Sequence, residues 1–318
     1  MHHINANMVR RLLDYPGLVQ SLRDAHAKGK LPDTFREIRE DSDQNKFVCL
    51  TSWAEHDVIA VKMVGVFPGN TSLAPPEPSI QGLVVLFSGK TGAPLLTADG
   101  AEMTFRKTAA DSALGADCLA RHDAATLLIC GAGGLAPNVV AAHCAVRPSI
   151  RRVLIWNRNA ARAKALAASL ALDIEVRAVE DVDAALPEAD IISCVTMATT
   201  PMVKGALLKP GAHVDLVGAY LPHMRESDDE TIRRAGQIFL DTRLFCDRSG
   251  DVAEPLARGI ITRDRLVADL FDLCTGRHPG RTSPDQITVY KNCGGGHLDL
   301  FTARHLLACA ESGPGSGS

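Results

Sequence analysis

A short apolar run that ends in a glycine-rich turn, TLLICGAGGLA at residues 126–136, constrains the fold more than any other feature of the chain. The spacing Gly-x-Gly-x-x-Ala, after an apolar run and before an alanine-rich segment, is typical of a strand, turn and helix that bind a dinucleotide. The first glycine permits the turn, the second lets the backbone approach a pyrophosphate, and the alanine keeps the helix close to the strand. The helix amino end then faces the phosphates. The residues expected to contact the cofactor here are Gly131, Gly133, Gly134, Leu135 and Ala136.

A second apolar run, residues 152–156, begins about 20 residues beyond the turn, where such folds place the residue that contacts the adenosine ribose. It is followed by Asn157 and Arg158 rather than by an acid. A carboxylate would bind a free ribose 2′-hydroxyl, whereas a guanidinium can bond two oxygens of a 2′-phosphate. We therefore expect these two residues to bind NADPH, with NADH as the alternative cofactor. The other interpretation is that Arg158 is a solvated residue at a strand end.

Apolar runs alternate with helical segments between residues 127 and 241, and they read LLIC, RVLIW, DIEVRAV, DIISCV, HVDLV and QIFLD. Parallel strands covered on both faces are continuously apolar, so this alternation predicts an α/β fold with a Rossmann-type, doubly wound parallel sheet. Ligands bind at the carboxyl ends of such strands. Thr196, Met197 and Gly218 follow two of these runs and are expected to border a nicotinamide; the alternative is that they are ordinary loop residues.

The first part of the chain has a different pattern, with a predicted helix over residues 15–26 and short β-like runs at 47–52, 58–66 and 83–88. Strands without helical crossovers predict an antiparallel sheet in a separate α+β domain. A predicted helix over 103–121 leads into the dinucleotide fold. A strand-like ITVYKN and a helix over 299–310 follow that fold, and we expect this last helix to pack back on the first domain. The predicted domains are 1–120 with 286–318, and 121–285.

Composition favours small-molecule chemistry. The formal charge is −3 with acids and bases intermixed, which predicts no nucleic-acid partner and no membrane partner. The first residues lack the apolar core of a signal peptide, and no window is long enough to cross a bilayer, so we expect a cytoplasmic protein. The nine cysteines show no CxxC pair and no zinc-type Cys/His spacing, which predicts reduced thiols and no metal site. The tail SGPGSGS, residues 312–318, is expected to be disordered.

Three basic residues of the first domain are candidates for binding an anion. Lys62 interrupts an apolar strand, VKMVGVFPGN, and a buried lysine is rare unless it is paired. It therefore faces either a cleft that binds an anion or a solvated edge. Arg106 and Lys107 lie near the start of the linking helix, where adjacent residues diverge by about 100°, so only one of them is expected to face a given pocket. The alternative is that both belong to a solvated basic turn.

Several motifs together resemble the ornithine cyclodeaminase and mu-crystallin family over almost the whole chain. They are VKMVGVFPGN, QGLVVLFSGKTGAPL, RKTAADSALGAD, CGAGGLA, IWNRN and GAYLPHMRE, in this order. The resemblance implies a homodimer in which the first domain supplies the subunit contact and the substrate pocket, beside a dinucleotide domain. Family members include ornithine cyclodeaminases, alanine dehydrogenases and reductases of cyclic imino acids.

The resemblance also implies roles for individual residues. Lys62 matches the family lysine that contacts the substrate carboxylate, and it is the candidate catalytic residue. Lys107 stands where the family usually has arginine, so either Lys107 or the neighbouring Arg106 completes the contact with the substrate. Asp299 matches an acid after the terminal glycine-rich turn and is expected on the nicotinamide side; capping of the last helix explains it equally well.

Tyr220 stands where cyclodeaminases of the family carry an aspartate. Without that carboxylate the chain lacks the group suited to bind and deprotonate an amine substrate. We therefore expect reduction of a preformed cyclic imine, Δ1-pyrroline-2-carboxylate or Δ1-piperideine-2-carboxylate, to L-proline or L-pipecolate by hydride transfer to C2. The alternatives are cyclodeamination or amino acid dehydrogenation and, from another class, a non-catalytic NADP-binding protein similar to the crystallin branch.

Overall fold

The computed structural model describes residues 1–43 and 45–312, without the side chain of Thr71. The expected disorder of the tail concerns residues that, from 313 onward, lie outside this part of the chain. The helices are α1 Ala6–Leu12, α2 Tyr15–Ala27, α3 Gly100–Leu119, α4 Ala136–Val146, α5 Ala160–Ser169, α6 Val182–Ala185, α7 Asp229–Ala235, α8 Gly250–Ala257, α9 Leu270–Cys274 and α10 Gly296–Ser312. The strands are β1 His2–Ile4, β2 Asp33–Glu40, β3 Lys46–Trp53, β4 Val58–Val66, β5 Ile80–Ser88, β6 Pro94–Asp99, β7 Thr126–Cys130, β8 Arg152–Trp156, β9 Glu175–Val179, β10 Ile191–Cys194, β11 His213–Leu216, β12 Ile238–Leu240, β13 Leu266–Asp269 and β14 Thr288–Lys291.

The chain forms two compact units, and each is described by itself. Unit 1 contains Met1–Ala25, Lys30–Lys107 and the chain from Gly295 onward, and unit 2 contains His26–Gly29 and Thr108–Gly294. The sequence places the boundaries at 120 and 286, whereas these units divide at 107 and 295. The first boundary falls inside helix α3, because its second half packs in unit 2.

Unit 2 is built on a parallel sheet of eight strands in the order β13-β12-β14-β11-β10-β7-β8-β9. All of its pairings are parallel. The side chains of the inner strands β7, β10 and β11 are buried along their whole length, because helices on both faces exclude water from continuous apolar runs. The expected doubly wound sheet is confirmed, and its order reverses at β7, between β8 and β10. This reversal creates the crevice in which such sheets bind ligands.

Two strands of this sheet depart from the sequence-based expectation. The sequence places β14 in the C-terminal part of the first domain, yet β14 pairs with β11 and β12 inside the parallel sheet. Its Tyr290 is fully buried, and a Cβ on Gly115 of α3 would lie 2.6 Å from its ring. Only glycine therefore lets α3 approach β14 this closely. Strand β13, LVAD, was not predicted because four residues are too few for a recognisable period.

Unit 1 is built on a mixed sheet in the order β1-β6-β5-β4-β3-β2, in which only the β1–β6 pair is parallel. The expected antiparallel strands are present. Helix α10 packs on β3 and β4, as the sequence predicts for the last helix. It covers one face of the sheet, where Ser52, Ala60, Lys62 and Val84 are buried. Strand β2 was not predicted, because its sequence, DTFREIRE, is an exposed and mostly polar edge.

The opposite face of this sheet, here called the outer sheet face, remains largely exposed although it is apolar. The register brings Phe35, Phe47, Trp53, Met63 and Leu83 to this face. Phe35, Phe47, Trp53 and Leu83 are 62, 50, 48 and 41% exposed. A depression of about 570 Å³ opens on this face, lined by Phe47, Met63, Gly65, Phe67, Asn70, Gln81, Gly82 and Leu83. Exposed apolar side chains grouped on one face are typical of a surface that contacts another protein.

Two whole-chain expectations concern the environment of the protein. All nine cysteines lie within the described ranges, and none of them forms a disulfide, in agreement with the expectation of reduced cysteines. None of the helices within residues 1–43 and 45–312 has the length and apolar composition that a membrane span requires.

Candidate functional site

Two lysines and one aspartate meet in the interior of unit 1, and we call them the lysine–aspartate cluster. Lys62 of β4 lies with its Nζ 3.2 Å from Oδ1 of Asp299 in α10, and Lys107 of α3 lies with its Nζ 2.8 Å from the same oxygen. Thr104 Oγ1 lies 3.4 Å from Nζ of Lys62. The three charged residues are only 7, 5 and 2% exposed. The burial of Lys62 excludes the solvated-edge interpretation.

The cluster carries more positive than negative charge. Two ammonium groups face one carboxylate, which leaves one positive charge without a counterion inside the cluster. Burial lowers the pKa of Lys62 to about 8; Asp299 opposes this shift and Lys107 adds to it. Burial also opposes ionisation of Asp299, yet Lys107 and Lys62 together hold its pKa below the usual value. An anionic ligand would supply the missing negative charge.

Arg106, the alternative partner, is engaged elsewhere in unit 1. Its Nε lies 3.3 Å from Oε1 of Glu102, and its guanidinium lies 4.7 Å from the centre of the Tyr15 ring. Adjacent helical residues diverge by about 100°, and here Lys107 is the one that points toward Lys62. The structure therefore brings Lys107, and not Arg106, into the cluster.

Asp299 lies inside the first turn of α10, which begins at Gly296, and its Oδ1 is directed at the two lysines. It is therefore not the residue that precedes and caps the helix. Its other oxygen, Oδ2, is buried and has no hydrogen-bond partner among the described residues. Because both ammonium groups bond Oδ1 of Asp299, the carboxylate fixes their positions. A small anion that enters the cluster would therefore find two positioned hydrogen-bond donors.

The glycine-rich turn of unit 2 has the form that its spacing predicts. Gly131 has φ of +126°, and a Cβ on it would lie 2.8 Å from the carbonyl oxygen of Val195, so only glycine fits without strain. A Cβ on Gly133 would meet nothing within 4 Å, which leaves open space beside the backbone. Helix α4 starts at Ala136, directly after Leu135, and no side chain caps it. The N–H of Ala136 already donates to the carbonyl oxygen of Gly133 at 3.0 Å, and residue 137 is a proline. The N–H groups left for a phosphate are therefore those of the turn between Gly131 and Ala136, and this turn fits a dinucleotide.

The end of β8 carries the residues predicted to distinguish the two dinucleotides. Asn157 donates from Nδ2 to the carbonyl oxygen of Asn159, and Asn159 in turn caps α5. Arg158 is exposed, and its guanidinium makes no hydrogen bond or ion pair with any described residue. An exposed arginine at this strand end is compatible both with a solvated residue and with one that binds a 2′-phosphate.

Thr196 and Gly218 follow β10 and β11, which are neighbours, so the backbone of the two loops comes together at the carboxyl edge of the sheet. A Cβ on Gly218 would lie 1.8 Å from the carbonyl oxygen of Thr196. Met197 is 73% exposed and Tyr220 is 50% exposed, so both side chains remain open to solvent. Glycine at position 218 is required by this close backbone approach.

Glu226 also lies at this edge, and the sequence does not identify it as a site residue. The sequence favours Arg225 and Glu226 as a structural pair that shapes the loop rather than as catalytic groups. In the structure the two side chains have different partners, and Arg225 bonds Asp229 and Glu254. Glu226 accepts hydrogen bonds from Thr196 and Gly218. Burial raises its pKa, and Lys291 opposes that rise. A glutamate among buried residues indicates a buried hydrogen-bonded carboxylate. The sequence does not show which residues bond it, because Thr196 and Gly218 are distant from Glu226 along the chain.

These features define a two-unit protein of the doubly wound α/β class, with a dinucleotide-type turn in one unit and a buried cationic cluster in the other. The chain belongs to the ornithine cyclodeaminase/mu-crystallin family, whose model matches residues 15–313. It is 38% identical over 297 residues to the Delta(1)-pyrroline-2-carboxylate reductase of Paracoccus denitrificans, covering 92% of both chains. It is 40% identical over 271 residues to Protein SAR DEFICIENT 4 of Arabidopsis thaliana, covering 83% of this chain and 82% of that protein.

A solved structure gives the same result for the fold. The Delta(1)-pyrroline-2-carboxylate reductase of Thermococcus litoralis, in complex with NADH and L-proline, matches with a TM-score of 0.90. The two proteins are 30% identical, and the match covers 98% of this chain and 97% of that one.

Proposed function

We propose that this chain reduces cyclic imino acids, Δ1-pyrroline-2-carboxylate, Δ1-piperideine-2-carboxylate or both, to L-proline or L-pipecolate with a nicotinamide dinucleotide. The observation that carries the proposal is the lysine–aspartate cluster, in which two buried ammonium groups share one carboxylate. The names of the Paracoccus and Thermococcus relatives support the same reaction.

In unit 1, Lys62 and Lys107 hold the carboxylate of the substrate. Each ammonium group is a compact charge with three donors, so it can bond Asp299 and a second carboxylate together. Asp299 keeps the two lysines in place. Fixing the carboxylate fixes the ring and its C2 atom, and positioning of this kind contributes roughly 7 to 11 kcal/mol to lowering a barrier.

In unit 2, the turn from Gly131 to Ala136 binds the pyrophosphate of the dinucleotide through backbone N–H groups. When bound, the dinucleotide supplies the hydride that adds to C2 of the protonated C=N bond. Asn157 and Arg158 favour NADPH over NADH, because Arg158 has no competing partner among the described residues and can bind a 2′-phosphate.

Tyr220 favours the reductase over a cyclodeaminase. A cyclodeaminase must bind an ammonium group and remove its proton, which requires a carboxylate. Tyr220 supplies a half-exposed phenol at that position. Reduction of a preformed imine needs no such base.

The outer sheet face supports a homodimer. Apolar side chains that are 41 to 62% exposed cover this face, whereas α10 buries the opposite face of the same sheet. A second copy of the chain would bury these residues, and the family resemblance places the subunit contact in this domain.

The test is NADPH oxidation, followed by absorbance, with each of the two cyclic imines and with NADH as the comparison. Lys62→Met should raise KM for the imine roughly 10- to 100-fold, because it removes one charged hydrogen bond to the carboxylate. Arg106→Met is the matched control, since Arg106 lies on the same helix as Lys107 but outside the cluster. The control should keep the wild-type KM. A wild-type chain that binds the dinucleotide but reduces neither imine would overturn the reductase and favour the non-catalytic binding protein.

A further inference from the structure

Glu226 connects two loops of unit 2 through a single buried carboxylate. One oxygen, Oε1, accepts from the backbone N–H of Thr196 at 2.7 Å and from its hydroxyl at 2.8 Å. The other oxygen, Oε2, accepts from the backbone N–H groups of Gly218 at 2.8 Å and Ala219 at 3.2 Å. The side chain is fully buried. Four donors on one carboxylate make a contact that a neutral side chain cannot reproduce.

The two loops come from neighbouring strands and touch through their backbones. Val217 N–H donates to the carbonyl oxygen of Cys194 at 2.9 Å, so the loops separate only beyond the ends of β10 and β11. Gly218 then approaches Thr196 so closely that a methyl group between them has no room. Because the two loops are in direct contact, a shift of one displaces the other. The side chain of Glu226 forms hydrogen bonds with both loops.

Glu226 is itself held from its backbone. Its N–H donates to Oδ1 of Asp251 at 2.9 Å, and its carbonyl oxygen accepts from the N–H groups of Met202 and Val203, both at 3.0 Å. Lys291, fully buried at the end of β14, lies with its Nζ 3.8 Å from Oδ2 of Asp251. This ammonium group supplies a positive charge near the buried acids. The carboxylate is therefore fixed in position as well as hydrogen-bonded.

We propose that Glu226 is a positioning residue that sets the loops bordering the nicotinamide, and the proposal rests on the dinucleotide site proposed above. Thr196 and Gly218 lie at strand carboxyl ends, where a doubly wound sheet binds its ligand. Among the described residues, the Glu226 side chain forms no hydrogen bond with the glycine-rich turn or with Arg158, which would bind the other end of the dinucleotide. Loss of the carboxylate should therefore weaken binding of the nicotinamide end alone.

The experiment compares two ligands on the full-length protein. NADPH contains the nicotinamide, and 2′,5′-ADP contains only the adenosine end. In Glu226→Gln an amide NH₂ replaces one acceptor oxygen and opposes an N–H donor. We expect a loss of about 10-fold or more in NADPH affinity, the size of one charged hydrogen bond, with 2′,5′-ADP affinity unchanged.

Arg225→Gln is the matched control, because Arg225 is the adjacent buried residue and its bonds go to Asp229, Glu254 and the carbonyl oxygen of Ser227. It should lower the melting temperature and leave both affinities as in the wild type. Thr196→Val provides a second test if Glu226→Gln does not fold, since it removes the hydroxyl bond to Glu226 together with the longer bond, 3.3 Å, that this hydroxyl accepts from the N–H of Ala198. Thr196→Val should lower the affinity for NADPH by a smaller factor than Glu226→Gln and leave the affinity for 2′,5′-ADP unchanged.

The outcomes separate the two proposals. Equal weakening of NADPH and 2′,5′-ADP in Glu226→Gln, or no weakening of either, would overturn the positioning role. A selective loss of NADPH affinity in Arg225→Gln would also overturn the positioning role, because the loss in Glu226→Gln would then reflect a general disruption of the loop. Failure of the wild-type chain to bind both NADPH and NADH would instead overturn the proposed dinucleotide site itself. If the wild-type chain binds NADH but not 2′,5′-ADP, the same comparison is made with NADH and ADP-ribose.

Discussion

At the scale of single residues, the unusual feature is that one carboxylate oxygen of Asp299 forms ion pairs with two lysines. Removing one partner of a buried ionic group is far more damaging than removing an exposed pair, because the remaining charges have neither water nor counterion. The sequence singles out Lys62, because it interrupts an apolar strand, but it leaves open whether Lys107 or Arg106 joins it. The pairing with Asp299 is not foreseeable, because 237 residues separate Lys62 from Asp299 along the chain.

Asp299→Asn should therefore destabilise the protein by about 3 to 5 kcal/mol. Two ammonium groups would then be buried without a carboxylate. The measurement is the free energy of unfolding in urea. Asp57→Asn is the control, because it breaks a half-exposed ion pair with Arg304 and should change stability by less than about 1 kcal/mol. Equal effects of the two substitutions would contradict the role of the cluster.

The lowered pKa of Lys62 predicts how anion binding depends on pH. Only the charged ammonium group attracts a carboxylate, and in the free protein it loses its proton above pH about 8. The dissociation constant of pyrrole-2-carboxylate, whose ring nitrogen does not titrate, should be constant below that pH and rise above it. Calorimetry between about pH 6 and pH 9 measures this, and Lys62→Arg, which stays charged, should flatten the curve. A rise that persists in Lys62→Arg would point to another group.

At the scale of secondary-structure elements, one glycine sets the distance between α10 and the sheet of unit 1. A Cβ on Gly296 would lie 2.6 Å from Oγ of Ser52 in β3 and 2.8 Å from Cγ2 of Thr34 in β2. The first turn of α10 also carries Asp299. Close packing at this point therefore places the carboxylate beside the lysines.

Gly296→Ala should shift the start of α10 and weaken both stability and imine binding. Overpacking of this kind costs about 1 to 3 kcal/mol. Ser52→Ala removes the nearest atom, so the double variant Gly296→Ala with Ser52→Ala should lose less than the sum of the two single variants. Unfolding free energies of the four proteins measure this coupling. Strict additivity would show that the close contact carries no energy.

The elements also show which parts of the fold the sequence reveals. Parallel strands buried on both faces give continuous apolar runs, so pattern alone predicts β7, β8, β10, β11 and β12. Strand β9 is predicted with them, although it lies at the sheet edge and is only partly buried. Strand β2 is polar and exposed along an edge, and β13 is short, so neither has a period to detect. The place of β14 depends on its pairing with β11 and β12, which no local pattern records.

At the scale of the whole molecule, the outer sheet face predicts the assembly. Stable interfaces bury roughly 1,200 Å² or more and have an apolar centre. The double substitution Phe47→Glu with Leu83→Glu should convert a dimer into a monomer, as measured by sedimentation. Tyr220→Glu is the control, because it is as exposed as Phe47 but lies in unit 2. A wild-type chain that sediments as a monomer at micromolar concentration would contradict the prediction.

The surplus charge of the lysine–aspartate cluster also links folding to metabolite supply. The pKa of Lys62 is about 10.5 in the unfolded chain and about 8 in the folded chain. Below pH 8 the ligand-free folded protein therefore buries a charged ammonium group at a cost in folding free energy. A small carboxylate that binds only the folded chain stabilises it by about 2.7 kcal/mol at a hundredfold excess over its dissociation constant. The melting temperature of this chain would then rise with the concentration of its own substrate.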